Sequence, residues 1–255
     1  MIKPLLEGRR ILICRPEPSA AELASVLESV GASVKRLPCI EIQRSEINRE
    51  QKQHIFDLDQ YKKIVVVSQF AAQAIAEEVD ALWPQPPTNQ TWFGIGRKTS
   101  QCLEAARLNT HKPQGDLSSE ALLLEPDLKQ VKGEKILIAK GHGGRSKLEQ
   151  GLRDRGAKIH TIELYERIKP SYSESTLNNA IIDFQADSII ALSAETLDNF
   201  HSFAQSVSAT PKQAILIVPS ARVAHHAKSL GYLNVRVAEQ LKPIDLIKCL
   251  ARSNR

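Results

Sequence analysis

Apolar residues along the chain arrive in two alternating rhythms. Short continuous runs, ILIC at 11–14, IVVV at 64–67, TWFGI at 91–95, ILIA at 136–139, SIIAL at 188–192 and AILIV at 214–218, are each followed by polar-rich stretches. A continuous run predicts a strand buried on both faces. In the stretches that follow, apolar positions recur three or four apart, as at Leu23, Val26, Leu27 and Val30 or at Leu148 and Leu152, which predicts helices with one buried face. Gly31 and Gly156 stand where helix C-terminal caps belong, and the further strands VKRLPCI and KIHTIEL come next. The remaining pairs are IVVVS with AAQAIAEEV, TWFGI with KTSQCLEAARL, SIIALS with ETLDNFHSF, and AILIV with ARVAHHAKSL. Strands alternating with helices predict a parallel α/β sheet covered on both sides.

The pattern also repeats. Ile11 and Ile136 open equivalent runs 125 positions apart, and Gly31-Ala32 with Gly156-Ala157, and Ser68 with Ser193, keep that offset. Gly96–Thr99 corresponds to Ser220–Val223 with the offset one residue shorter. Landmarks in the same order across most of each half imply a duplicated unit, hence two doubly wound domains. RGAKIHTIELYERI at 155–168 is a worn copy of VGASVKRLPCIEIQ at 30–43, except that Tyr165 stands where the first copy has Ile40.

Composition narrows the picture only a little. With 255 residues, 42% hydrophobic and 25% charged, the chain reads as a globular protein. No run of eighteen apolar residues occurs and MIKPLLEGRR lacks a signal-peptide core, so the expectation is a cytoplasmic protein without a membrane span. The four cysteines are scattered within apolar or helical patterns and read as small buried hydrophobes, and His225 and His226 diverge on a helix, so no metal site is expected. A net charge of +5 favours an anionic partner, yet the cations are dispersed and only 5% of residues are aromatic, which argues against nucleic acid.

Candidate chemistry lies where the strands end, because an open parallel sheet binds ligands beyond its carboxyl edge, where helix N-termini offer free N–H groups. The tips CRPEPS, SQFAA, GIGRKTS, AKGHGGRS, SAET and VPSARVA hold Arg15, Ser68, Arg97, Lys98, Thr99, Lys140, Gly141, Arg145, Ser193 and Arg222. Small, hydroxylic and basic groups suit anion binding. Each has a plainer alternative: Arg15 as a solvated strand end, and Ser68, Thr99 and Ser193 as N-caps. The run GHGG lacks both the dinucleotide spacing and the lysine-serine pair of a phosphate loop.

The CRP strand end, ASVLESVGASVKRLPCIEI, VVVSQFA, FGIGRKTSQCL and above all ILIAKGHGGRSKLEQGLRDRGAKIHTIELYERI resemble uroporphyrinogen-III synthases, over Ile11 to Ile247. The resemblance implies two flavodoxin-like parallel-sheet domains joined by a two-stranded linker ladder. Mapped here, residues 1–38 and 169–255 would form one domain and 43–163 the other, with linkers at 39–42 and 164–168. It implies cyclisation of hydroxymethylbilane, a linear tetrapyrrole with eight carboxylates, with loss of water and inversion of the terminal ring, through azafulvene and spiro-pyrrolenine intermediates. It also implies no metal or cofactor and allows a transient contact with hydroxymethylbilane synthase, and because a cleft formed within one chain needs no second subunit, a monomer is expected. The linear substrate closes unaided to the uninverted isomer, so the catalyst must chiefly fold and hold it.

Under the same resemblance Tyr165 borders the cleft between domains and helps the hydroxyl leave, as a phenol, protonated at neutral pH, can do. Arg15, Ser68, Thr99, Lys140, Gly141, Arg145 and Ser193 would contact substrate, and single substitutions at Ser68 or Lys140 would cost little. The chain departs from the family pattern at Pro219, Ser220, Val223 and Arg107, which leaves open a hydroxyl contact at 223 and a degenerate, inactive relative. A two-domain hinge protein closing on another polyanion is the alternative without catalysis.

Overall fold

The computed structural model describes residues 5–111, 119–143, 147–238 and 240–251, and Arg145 lies outside the described residues. The chain opens with β1 (Arg10–Ile13), α1 (Ser19–Ser29) and β2 (Ser33–Arg36). It continues through β3 (Glu41–Arg44), α2 (Arg49–Phe56), β4 (Lys63–Val66), α3 (Gln69–Leu82), β5 (Thr91–Gly94) and α4 (Arg97–Ala105). Two short helices, α5 (Ser119–Leu122) and α6 (Pro126–Lys129), lead to β6 (Lys135–Gly141), α7 (Lys147–Asp154) and the long β7 (Lys158–Ile168). The last third holds α8 (Glu174–Leu177), β8 (Ser188–Ile190), α9 (Ala194–Ser206), β9 (Ile215–Val218), α10 (Ala221–Ser229), β10 (Asn234–Val237) and α11 (Pro243–Ala251). Two compact units result, Met1–Glu41 with Ile168–Arg255, and Ile42–Arg167.

In the first unit the strand order is β10-β9-β8-β1-β2, every neighbouring pair parallel. This is the doubly wound order expected when a crossover reverses direction after the first pair. Along β1, Leu12 and Cys14 pack with Phe200 and Leu216 on one side, while Ile11 and Ile13 pack with Leu23, Ile217 and Leu250 on the other. Successive side chains point to opposite faces and both faces are covered, so the strand is apolar from Ile11 onward.

The second unit has the order β3-β7-β6-β4-β5, with β4 parallel to β5 and β6, and β6 parallel to β7. Its run β7-β6-β4-β5 corresponds to β2-β1-β8-β9 of the first unit, as the 125-residue offset requires. The counterpart of β10 shrinks to one parallel bridge between Trp92 and Thr110, and β3 lies beside β7 instead. Here Leu137 and Ala139 of β6 face one core while Ile136 and Ile138 face the other.

Local chemistry accounts for the element ends. Gly31 and Gly156 both hold left-handed φ angles, 96° and 82°, just past α1 and α7, where a side chain would be strained. Arg107 sits at φ 59° where the other copy has Gly231 at φ 90°, so the first of these turns carries a cost that glycine avoids. The run VKRLPCI, expected as one strand, is regular only to Arg36: the Leu37 and Cys39 N–H groups still donate to the Ile13 and Cys14 carbonyls at 2.9 and 3.1 Å, but those acceptors are one residue apart, so the even ladder ends there. In the copy, where Glu163 stands in place of Pro38, β7 runs on to Ile168. Among the described residues no helix is long and apolar enough to cross a membrane.

Candidate functional site

In the second unit the ends of β4, β6 and β7 bring four expected residues together. Ser68 follows β4 in extended conformation and caps α3, its Oγ accepting from the Ala71 N–H at 3.1 Å. Tyr165 lies near the end of β7, buried with 7% of its surface exposed, its ring centroid 5.9 Å from that of Phe70. The Ser68 Oγ donates to the Tyr165 Oη at 3.0 Å.

A break in register puts the tyrosine there. Lys140 pairs with Glu163, but Gly141 pairs with Tyr165, so Leu164 is an extra residue on β7. Strict alternation would send Tyr165 to the face opposite Ile162 and Leu164. The bulge turns it back, and all three join one core with Leu137 and Ala139. Gly141 makes the space: a Cβ on it would lie 2.5 Å from Cε2 and Cζ of the Tyr165 ring. The His142 N–H then donates to the Tyr165 carbonyl at 2.7 Å, closing the ladder beyond the bulge.

Charge surrounds this corner. The Lys140 Nζ stands 3.6 Å from Glu149 and 3.9 Å from Glu163, and the exposed His142 meets Glu163 through Nδ1 at 2.8 Å. Arg153 also bonds Glu149 at 2.9 Å, and this bond, with help from Lys140, holds the Glu149 carboxyl below the usual range. Lys140 is therefore a cation already shared between two carboxylates, with capacity for a third.

Thr99 departs from one of its expected roles. The cap of α4 is Gly96, and Thr99, 3% exposed, lies in the first turn with its Oγ1 donating back to the Ile95 carbonyl at 2.6 Å. Its side chain tightens the turn from inside instead of capping the helix.

Arg15 and Ser193 belong to the first unit. Arg15 follows β1 half-buried, and burial pulls its guanidinium below the ordinary value against the opposing charge of Glu22. Ser193 caps α9, accepting from the Thr196 N–H at 3.0 Å, with the Thr196 hydroxyl 2.8 Å away. At the departing tip, Ser220 caps α10 by accepting from the Val223 N–H at 3.4 Å, and Val223 is a core residue.

The direct link between Ser68 and Tyr165, the Phe70 contact and the Glu149–Lys140–Glu163–His142 cluster were not foreseen from the sequence. A local signal for the first existed: the adjacent apolar pair Leu164-Tyr165 breaks the alternation of β7.

The family model described as Uroporphyrinogen-III synthase HemD matches residues 21–248. A uroporphyrinogen-III synthase of Salmonella typhimurium is 28% identical over 252 residues, covering 94% of this chain and 99% of that protein. One from Escherichia coli is 28% identical over 246 residues with the same coverage. Among solved structures, a uroporphyrinogen-III synthetase from Helicobacter pylori superposes with a TM-score of 0.63 at 12% identity, covering 94% of this chain and 97% of that one. A mutant uroporphyrinogen III synthase from Thermus thermophilus gives 0.58 at 16% identity, covering 94% and 96%. The structural likenesses speak for the fold.

Proposed function

The chain belongs to the uroporphyrinogen-III synthase family of porphyrin biosynthesis, and on that premise we propose that it is a water-releasing lyase that closes hydroxymethylbilane to uroporphyrinogen III with inversion of the last ring. The observation that carries the mechanistic reading is the Tyr165 phenol, set by a bulge against Gly141 at the carboxyl edge of the sheet. Tyr165 is the proton donor to the departing hydroxyl.

Arg15, Lys140, Arg145 and Ser193 are assigned to the substrate's carboxylates through charge-assisted and hydroxyl contacts. Ser68 and Gly141 hold the tyrosine. The hydroxyl of Thr99 is committed to Ile95, so the tip after β5 contributes through its backbone. The enzyme's task is mainly to hold a flexible polyanion with its terminal ring turned over, which many weak contacts can do together.

The test couples the protein to a synthase that generates hydroxymethylbilane, oxidises the products and separates the type I and type III uroporphyrins. Type III should dominate, and type I alone from folded protein would overturn the reading. In the same assay Tyr165→Phe should lower turnover by about 10²- to 10⁴-fold, the range for losing a positioned acid. Equal small losses at Tyr165 and Lys140 would remove the tyrosine from its role.

A further inference from the structure

We propose that Ser68 is a positioning residue that fixes where the Tyr165 proton points, and this rests on the catalytic role given to Tyr165 above. A serine hydroxyl has one proton and two lone pairs, a phenol one proton and acceptor capacity. At Ser68 the Ala71 N–H fills a lone pair at 3.1 Å, and the hydroxyl's own proton goes to Tyr165 Oη at 3.0 Å. Oη is thus an acceptor in this contact. Among the described residues no other hydrogen bond engages it, so the phenol's proton has no protein acceptor and is available to substrate.

The arrangement serves the chemistry in two ways. Before reaction, Ser68 keeps the phenol from spending its proton inside the protein. During reaction the phenol O–H breaks and its proton moves to the leaving hydroxyl. The carbon–oxygen bond breaks with its electron pair going to that oxygen, which departs as water, while the pyrrole nitrogen supplies electrons to the exocyclic carbon. An azafulvenium and a tyrosinate remain. The Ser68 hydrogen bond, already aimed at Oη, strengthens as charge develops there. The proton released from carbon on ring closure restores the phenol.

Ser68 is also a helix cap, so the test must separate the two jobs. Glycine at a cap costs only a few tenths of a kcal/mol relative to serine, and Ser68→Gly removes the donor at little structural expense. Ser68→Thr keeps both cap and donor. In place of the small cost expected from the sequence, the contact to Tyr165 means that Ser68→Gly should lower kcat by about 10- to 100-fold with KM unchanged, Ser68→Thr should restore most of it, and Ser68→Gly should add no further loss in a Tyr165→Phe background. Wild-type kcat in Ser68→Gly, or its full loss persisting on top of Tyr165→Phe, would overturn the proposal. If the wild-type chain makes only type I product, the proposed function fails separately. The positioning claim then stands or falls on the ¹³Cζ resonance of Tyr165, which Ser68→Gly must move in the absence of substrate.

Discussion

The two units share a frame and differ where chemistry is expected. Position for position, Lys140 answers to Arg15, Gly141 to Pro16, Ser68 to Ser193 and Tyr165 to Ile40. Both serines cap the next helix in nearly the same conformation, with φ of −159° and −157°. Yet Ser193 shares its hydroxyl with Thr196 in the next turn, whereas Ser68 reaches 97 positions along the chain to Tyr165. The first unit carries Pro16 and Ile40 at the two positions that hold Gly141 and Tyr165 in the second. In the second unit the tyrosine needs both the extra residue in β7 and the missing side chain at 141. The second unit thus combines the phenol, the bulge and the glycine on a frame whose run of four strands it shares with the first.

The equivalence of the scaffolds is tested most severely in their cores. Phe200 of α9 and Ile75 of α3 are counterparts and both are fully buried. Phe200→Ala should cost about 3–5 kcal/mol and Ile75→Ala about 2–5 kcal/mol, by lost transfer energy and the cavity left behind. Urea unfolding midpoints give the comparison, and a nearly silent variant in one unit would show that the two are packed to different standards. The next largest effect isolates the difference between them. Gly141→Ala drives a methyl into the Tyr165 ring and should lower turnover by about 10²-fold, the size of effect that accompanies misplacing a reacting group by an ångström. Wild-type turnover in that variant would mean the ring and its glycine are packing partners only.

Much of this frame was legible in the sequence because its signals are local. Strands covered on both faces must be apolar throughout, and a helix that ends in a left-handed turn calls for the glycines at 31 and 156. The caps at Ser68 and Ser193 follow from residue type and place. The site was less readable because its determinants are not local. The bulge at Leu164 exists only in register with β6, and the hydroxyl of Thr99 turned inward to a carbonyl four residues back. The role proposed for Tyr165 rests on family resemblance; pattern alone would have left it an aromatic packed in a linker.

A third difference between the units is electrostatic, and it yields the smallest effect. Where the first unit sets Lys35 of β2 against Asn179, the second places His160 of β7 and His54 of α2 at the same two positions. The histidine rings stack with centroids 4.7 Å apart, and the buried Tyr61 hydroxyl lies 2.9 Å from one Nδ1 and 3.0 Å from the other. A phenol can donate to one nitrogen and accept from the other only while one Nδ1 is unprotonated. Burial, then the neighbouring His54, Lys135 and Arg153, depress the His160 pKa against the opposing charge of Glu50, while burial and Asp57 push the Tyr61 phenol up to about 12. The folded protein thus holds His160 neutral more firmly than the unfolded chain, whose imidazole titrates near about 6.5. The contribution is fully present above about pH 6.5 and is lost as pH falls from there towards the depressed folded value, because the unfolded state binds the proton more readily. Melting temperatures from about pH 7.5 to about 5.5 should fall less steeply for His160→Gln than for the wild type. An identical slope would mean the acid sensitivity lies elsewhere, and that the two units differ in chemistry at Tyr165 but not in their response to protons here.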